Sequence, residues 1–64
     1  MKVKDVVALT SWDNMVILTS PQYKRATYND HRRIPEAMLD KTVTSIYGTE
    51  YFGYDAIEIT YAEG

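Results

Sequence analysis

Cysteine is absent from this 64-residue chain, and histidine and tryptophan occur once each. Without cysteine there is no disulfide, and one imidazole with no thiolate cannot build the four-ligand shell of a structural zinc site. Glycine is held to 3 residues and proline to 2, which excludes collagen-like, linker-like and low-complexity classes. One folded domain over residues 1–64 is expected. The apolar run MVIL, residues 15–18, falls far short of the roughly 20 residues of a membrane span. The opening MKVKDVVALTSW is too charged for a secretory leader, and its apolar stretch is too short. These absences lead to the expectation of a cytoplasmic protein with no membrane association, no metal and no cofactor.

A chain this short buries only about 60% of its unfolded surface. Small domains without disulfides or metals lean on self-association, so a homo-oligomer is expected. The net charge is −2, and its distribution says more than its size. Residues 22–41 carry Lys24, Arg25, Arg32, Arg33 and Lys41 against Asp30, Glu36 and Asp40. Residues 42–64 carry only Glu50, Asp55, Glu58 and Glu63. A basic middle and an acidic end fit subunit contact or a local anion site. They do not make the broad basic face that nucleic-acid binding needs.

Val3, Val6 and Val7 follow the i, i+3, i+4 spacing of one helix face. SWDN reads as a turn, with Trp12 as a lid on the core. MVILTS is rich in β-branched residues and apolar on both faces, which predicts a central strand. YKRATYN is a second strand close enough to form a hairpin. RIPEAMLDK predicts a short helix with Pro35 at its first position. TVTSIYG is a third strand. AIEITYA is the fourth, with Ile57, Ile59 and Tyr61 inward and Glu58 and Thr60 outward. GTEYFGYD between them reads as a glycine-punctuated loop. The fold class is α+β: a short N-terminal helix packed on a four-stranded, mostly antiparallel sheet of two hairpins joined by a short helix.

The stretches MKVKDVVAL…WDNMVIL and IPEAMLDKTVTSIY…IEI resemble small accessory proteins encoded by phages and prophages of Gram-positive bacteria. In those proteins a lysine- and aspartate-bearing first helix leads to W-D and an apolar strand, and IPEELLD-like text leads to a strand and a closing IEI. The likeness covers most of the chain, and its motifs are structural. The crowded YGTEYFGY stretch departs from the pattern. The resemblance implies a phage accessory gene, some of which act against host defence by binding a protein or sequestering a nucleotide signal.

Two stretches are candidate sites. In NDHRRIP, residues 29–35, Arg32 and Arg33 can offer forked donors to a phosphate. His31 adds a third donor, and Arg25 is expected nearby. The bland alternative is a solvated turn whose arginine stems cover apolar surface. The second stretch holds Tyr47, Tyr51, Phe52 and Tyr54, half of the chain's aromatic residues. Tyr51, Phe52 and Tyr54 are the expected interface or stacking groups, against the alternative that they fold back to close a small core. Ser11, Ser20 and Ser45 offer hydroxyls and His31 one base, but no nucleophile elbow, Walker loop or HExxH pattern is present. The chain therefore reads as a non-enzymatic binding protein that engages a host protein or a nucleotide-like anion. The alternatives are a nucleic-acid-binding accessory module, which the charge disfavours, and a structural self-assembly protein.

Overall fold

A computed structural model of the chain describes residues 1–10 and 14–63. Residues 11–13 of the expected SWDN turn, and with them the Trp12 lid, lie outside the described residues. Helix α1 spans Val3–Val7. Valine is a poor helix former, so this short helix depends on burial: Val3 is fully buried, Val6 nearly so, and Val7 packs beside them. The Asp5 carboxylate accepts the Lys2 backbone N–H at 2.9 Å, satisfying one of the unpaired donors of the first turn.

Strand β1 (Met15–Thr19) forms an antiparallel hairpin with β2 (Arg25–Tyr28), Ile17 facing Thr27 and Thr19 facing Arg25. Strand β3 (Val43–Tyr51) forms a second hairpin with β4 (Tyr54–Tyr61). The two hairpins meet through a parallel ladder between β1 and β4, Leu18 beside Ile59, so the sheet order is β2-β1-β4-β3. MVILT is thus a central strand, and apolar residues serve both of its faces. Between the hairpins lie a 3₁₀ turn at His31–Arg33 and the one-turn helix α2 at Glu36–Leu39. The expectation that Pro35 opens this helix is corrected by one residue. Pro35 has the extended ψ of 142° and caps the helix from outside.

The expected eight-residue loop GTEYFGYD is also corrected. Tyr51 and Tyr54 are paired strand residues, and only Phe52 and Gly53 form the turn. Both take positive φ, 50° and 84°, as tight two-residue hairpin turns require. Gly53 does so without a Cβ penalty, whereas Phe52 is held there by the register on either side. Gly48, expected at the start of that loop, continues the strand.

The core lies on one face of the sheet. Val16, Leu18, Ile59 and Tyr61 meet Val3 and Val6 of α1 and Ile34 of the connecting segment. Ile57 packs at its edge. The inward assignment of Ile57, Ile59 and Tyr61 agrees with this cluster. Glu58 does point to the opposite face, but it is only 6% exposed, so the expectation of a solvated glutamate is overturned. Among the described residues no helix is long and apolar enough to cross a membrane.

Candidate functional site: an uncovered sheet face

Strand alternation sends every second residue away from α1. The register aligns these residues in rows. Thr27, Ile17, Glu58 and Tyr47 cross all four strands in one row, and Arg25, Thr19, Thr60 and Ser45 form the next. Met15, Ala56 and Thr49 lie on the other side, followed by the Tyr51–Tyr54 pair beside the turn. No described helix covers this face. Its centre is nonetheless dry: Ile17, Thr19, Ala56 and Glu58 are all buried by their neighbours. Its rim is aromatic, with Tyr47 half exposed and Tyr54 68% exposed.

Glu58 is the polar centre of the face. One carboxylate oxygen, Oε2, accepts from the Thr19 hydroxyl at 3.1 Å, and the other faces the Arg25 guanidinium at 3.7 Å. The Tyr47 hydroxyl is the third partner; its hydrogen bond to Glu58 pushes the phenol pKa up, and burial and the carboxylate charge act in the same direction. A carboxylate buried this far needs such partners, because an unpaired buried charge is strongly unfavourable. Tyr61, on the covered face, is also pushed up, chiefly by burial.

The residues of the expected anion grip are not gathered together. Arg25 lies on the uncovered face at the first residue of β2, while His31–Arg33 follow the far end of that strand. The four residues of β2 span about 13 Å. The His31 ring stands 3.3 Å from the Thr10 hydroxyl. That hydroxyl also lies 3.0 Å from the Val7 carbonyl, to which it donates, so His31 is tied to the end of α1. Arg32 is clasped by Asp30: its Nε lies 3.0 Å from Oδ1, its Nη2 lies 2.7 Å from Oδ2, and its backbone N–H donates to Oδ1 at 2.9 Å. Arg33 is exposed. The short helix behind Pro35 contributes little dipole.

The clasp has a measurable consequence. Hydrogen bonds from the Arg32 side chain and backbone lower the Asp30 carboxyl from its ordinary 3.8 to about 2. A depressed folded-state pKa stabilises the fold above the unfolded value and loses that contribution as pH falls through the folded one. The contribution of Asp30 is therefore expected to disappear between about pH 4 and pH 2. Carboxyl-carbon NMR of Asp30 should give a midpoint near the lower end of that range. An ordinary aspartate midpoint would show that the clasp does not persist in solution.

Of the expected interface residues, Tyr51 and Phe52 form an edge-on ring pair with centroids 4.6 Å apart and planes at 85°. Phe52 is 86% exposed at the tip of the turn. Tyr54 also borders a cleft of about 430 Å³ with Asn14, Met15, Asn29 and Asp55. Among the described residues its lining includes a carboxylate and no cation, which does not suit a phosphate. Among the described residues no cluster of three metal-ligating side chains occurs. Sequence reasoning missed Thr19, Ile17 and Glu58 as parts of one face. Their alternation was visible, but which strands lie side by side was not. No protein-family model, curated protein or solved structure matches this chain.

Proposed function

We propose that this chain is a non-enzymatic binding protein that docks a protein partner on the uncovered face of its sheet. The observation that carries this reading is a four-stranded face with a buried, fully partnered polar centre and an exposed tyrosine rim. Tyrosines around a dry centre are what protein interfaces concentrate. Among the described residues the face has one cation, Arg25, which is already opposed by Glu58, and that counts against nucleic acid. The Asp30 clasp on Arg32 and the carboxylate in the cleft count against a nucleotide-like anion. The resemblance to phage accessory proteins makes a host protein the natural partner, with action against host defence as one such role.

Immobilised protein exposed to a lysate of a Gram-positive host tests the reading. The parent and an Arg32→Gln/Arg33→Gln variant should retain the same host protein. Tyr54→Ala should weaken retention roughly tenfold or more, the scale of an aromatic hot spot. Equal retention by Tyr54→Ala would remove the face from the account. So would a thermal shift with nucleotides or inorganic phosphate that vanishes in the arginine variant, and it would move the function to residues 31–33.

A further inference from the structure

The sheet has two edges, and they are built differently. β2 is four residues long, begins at Arg25, and follows Pro21 and Lys24. Short length, proline and positive charge are the usual defences of an edge against strand addition. β3 is nine residues long, VTSIYGTEY, with no lysine, arginine or proline and with Glu50 as its one charge. It exposes Ile46 and Tyr47 by 45% and 51%.

The first residues of this edge already accept a strand. Lys2 bridges antiparallel to Thr42, and the Val43 N–H donates to the Met1 carbonyl at 2.8 Å. That pairing stops at Val43, where an irregularity in the β3–β4 register follows. Thr44 to Tyr51 continue the edge, and no described strand lies beyond them.

Gly48 is the second observation. It sits mid-strand opposite Ile57, on the face that carries the core. A Cβ built there would meet nothing within 4 Å, and its φ is not in the left-handed range. The isolated chain therefore needs glycine here for neither space nor conformation. A strand-interior glycine of this kind commonly marks the close approach of another chain segment.

We propose that β3 pairs antiparallel with β3 of a second copy, about a two-fold axis at Tyr47, to make one eight-stranded sheet. Side-by-side antiparallel strands related by a two-fold must have the axis perpendicular to the sheet, so opposed residues share a face. With the axis at Tyr47, Ile46 of each copy lies over Gly48 of the other. Ser45 then opposes Thr49, and Thr44 opposes Glu50. The exposed isoleucine fills the space above the glycine, and no like charges meet. Moving the axis to Gly48 would set Ile46 against Glu50. Moving it to Ile46 would drive the pairing into the edge occupied by Met1 and Lys2. The inference rests on the edge and is independent of what the uncovered face binds. It does put both uncovered faces on the same side, doubling a surface on the order of 400 Å² in plan.

Light scattering tests the proposal on the intact chain. The parent should show twice the monomer mass of 7.4 kDa, and Thr44→Glu should halve it. Thr44 is exposed and its hydroxyl makes only an exposed bond to the Thr60 carbonyl, so the melting temperature in dilute solution should fall little. The new carboxylate would face Glu50 of the second copy, a like-charge pair repeated by the two-fold. Cysteine trapping checks the register in a chain that otherwise has no thiol. Tyr47→Cys should oxidise to a covalent dimer, because residues on the axis lie about 4.5–5.5 Å apart, within disulfide reach. Ser45→Cys should not, because its two copies would be separated by about 13 Å along the strands. A parent of 7.4 kDa at all concentrations, a Thr44→Glu protein that dimerises as well as the parent, or cross-linking at Ser45 in place of Tyr47 would each overturn the proposal.

Discussion

Ile59→Ala is expected to lower the unfolding free energy by about 2–5 kcal/mol. Ile59 is fully buried on a central strand, between Leu18 on β1 and Ile46 on β3, beneath Val3 and Val6. A domain of this length has roughly 3–10 kcal/mol in total, so the variant should sit near the edge of unfolding. Ile46→Ala, on the same rung but 45% exposed, should cost under about 1 kcal/mol in dilute protein. The difference follows the burial of the two strands: β4 is largely buried around Ile59, whereas Ile46 lies in an exposed stretch of β3. Urea denaturation of both variants decides the point. Equal losses would mean that the core is not centred on β1 and β4.

Thr19→Val is expected to cost about 1.5–3 kcal/mol, the range for a hydrogen bond to a charged group. The Thr19 hydroxyl is buried and bonds a buried carboxylate across the parallel β1–β4 ladder, the junction between the two hairpins. Arg25→Ala should cost less, under about 1 kcal/mol, because the guanidinium stands 63% exposed and 3.7 Å away. Combining Thr19→Val with Glu58→Leu should recover most of the loss, since a buried ionic cluster replaced as a whole by apolar groups is often neutral or stabilising. If Thr19→Val alone proves harmless, Glu58 is held by solvent rather than by this bond.

The uncovered face and the β3 edge are distinct surfaces with different chemistry. The face offers side chains, the tyrosine rim above all. The edge offers backbone donors and acceptors, and its selectivity would come from Ile46 and Gly48. A partner lost on Tyr54→Ala but kept on Thr44→Glu would assign recognition to the face and assembly to the edge.

Local order was legible in the residues. The valine spacing in VKDVV marks a helix face, and IEITY alternates with period 2, so α1 and β4 and their buried sides follow from short-range pattern alone. The aromatic crowding at residues 47–54 likewise marked Tyr51, Phe52 and Tyr54 as a group. It did not distinguish a loop from a hairpin tip, because Gly48 reads equally as a turn or as a strand gap. Tertiary structure alone decided that β1 and β4 lie parallel at the centre, that Arg25 is separated from His31–Arg33 by the length of β2, and that Glu58 is buried. Strand order is set by pairing across some forty residues, for which neighbouring residues carry no signal. The burial of Glu58 follows from that order, because Thr19, Arg25 and Tyr47 reach it from three other strands, and without those neighbours the same glutamate on the same alternating strand would stand in water.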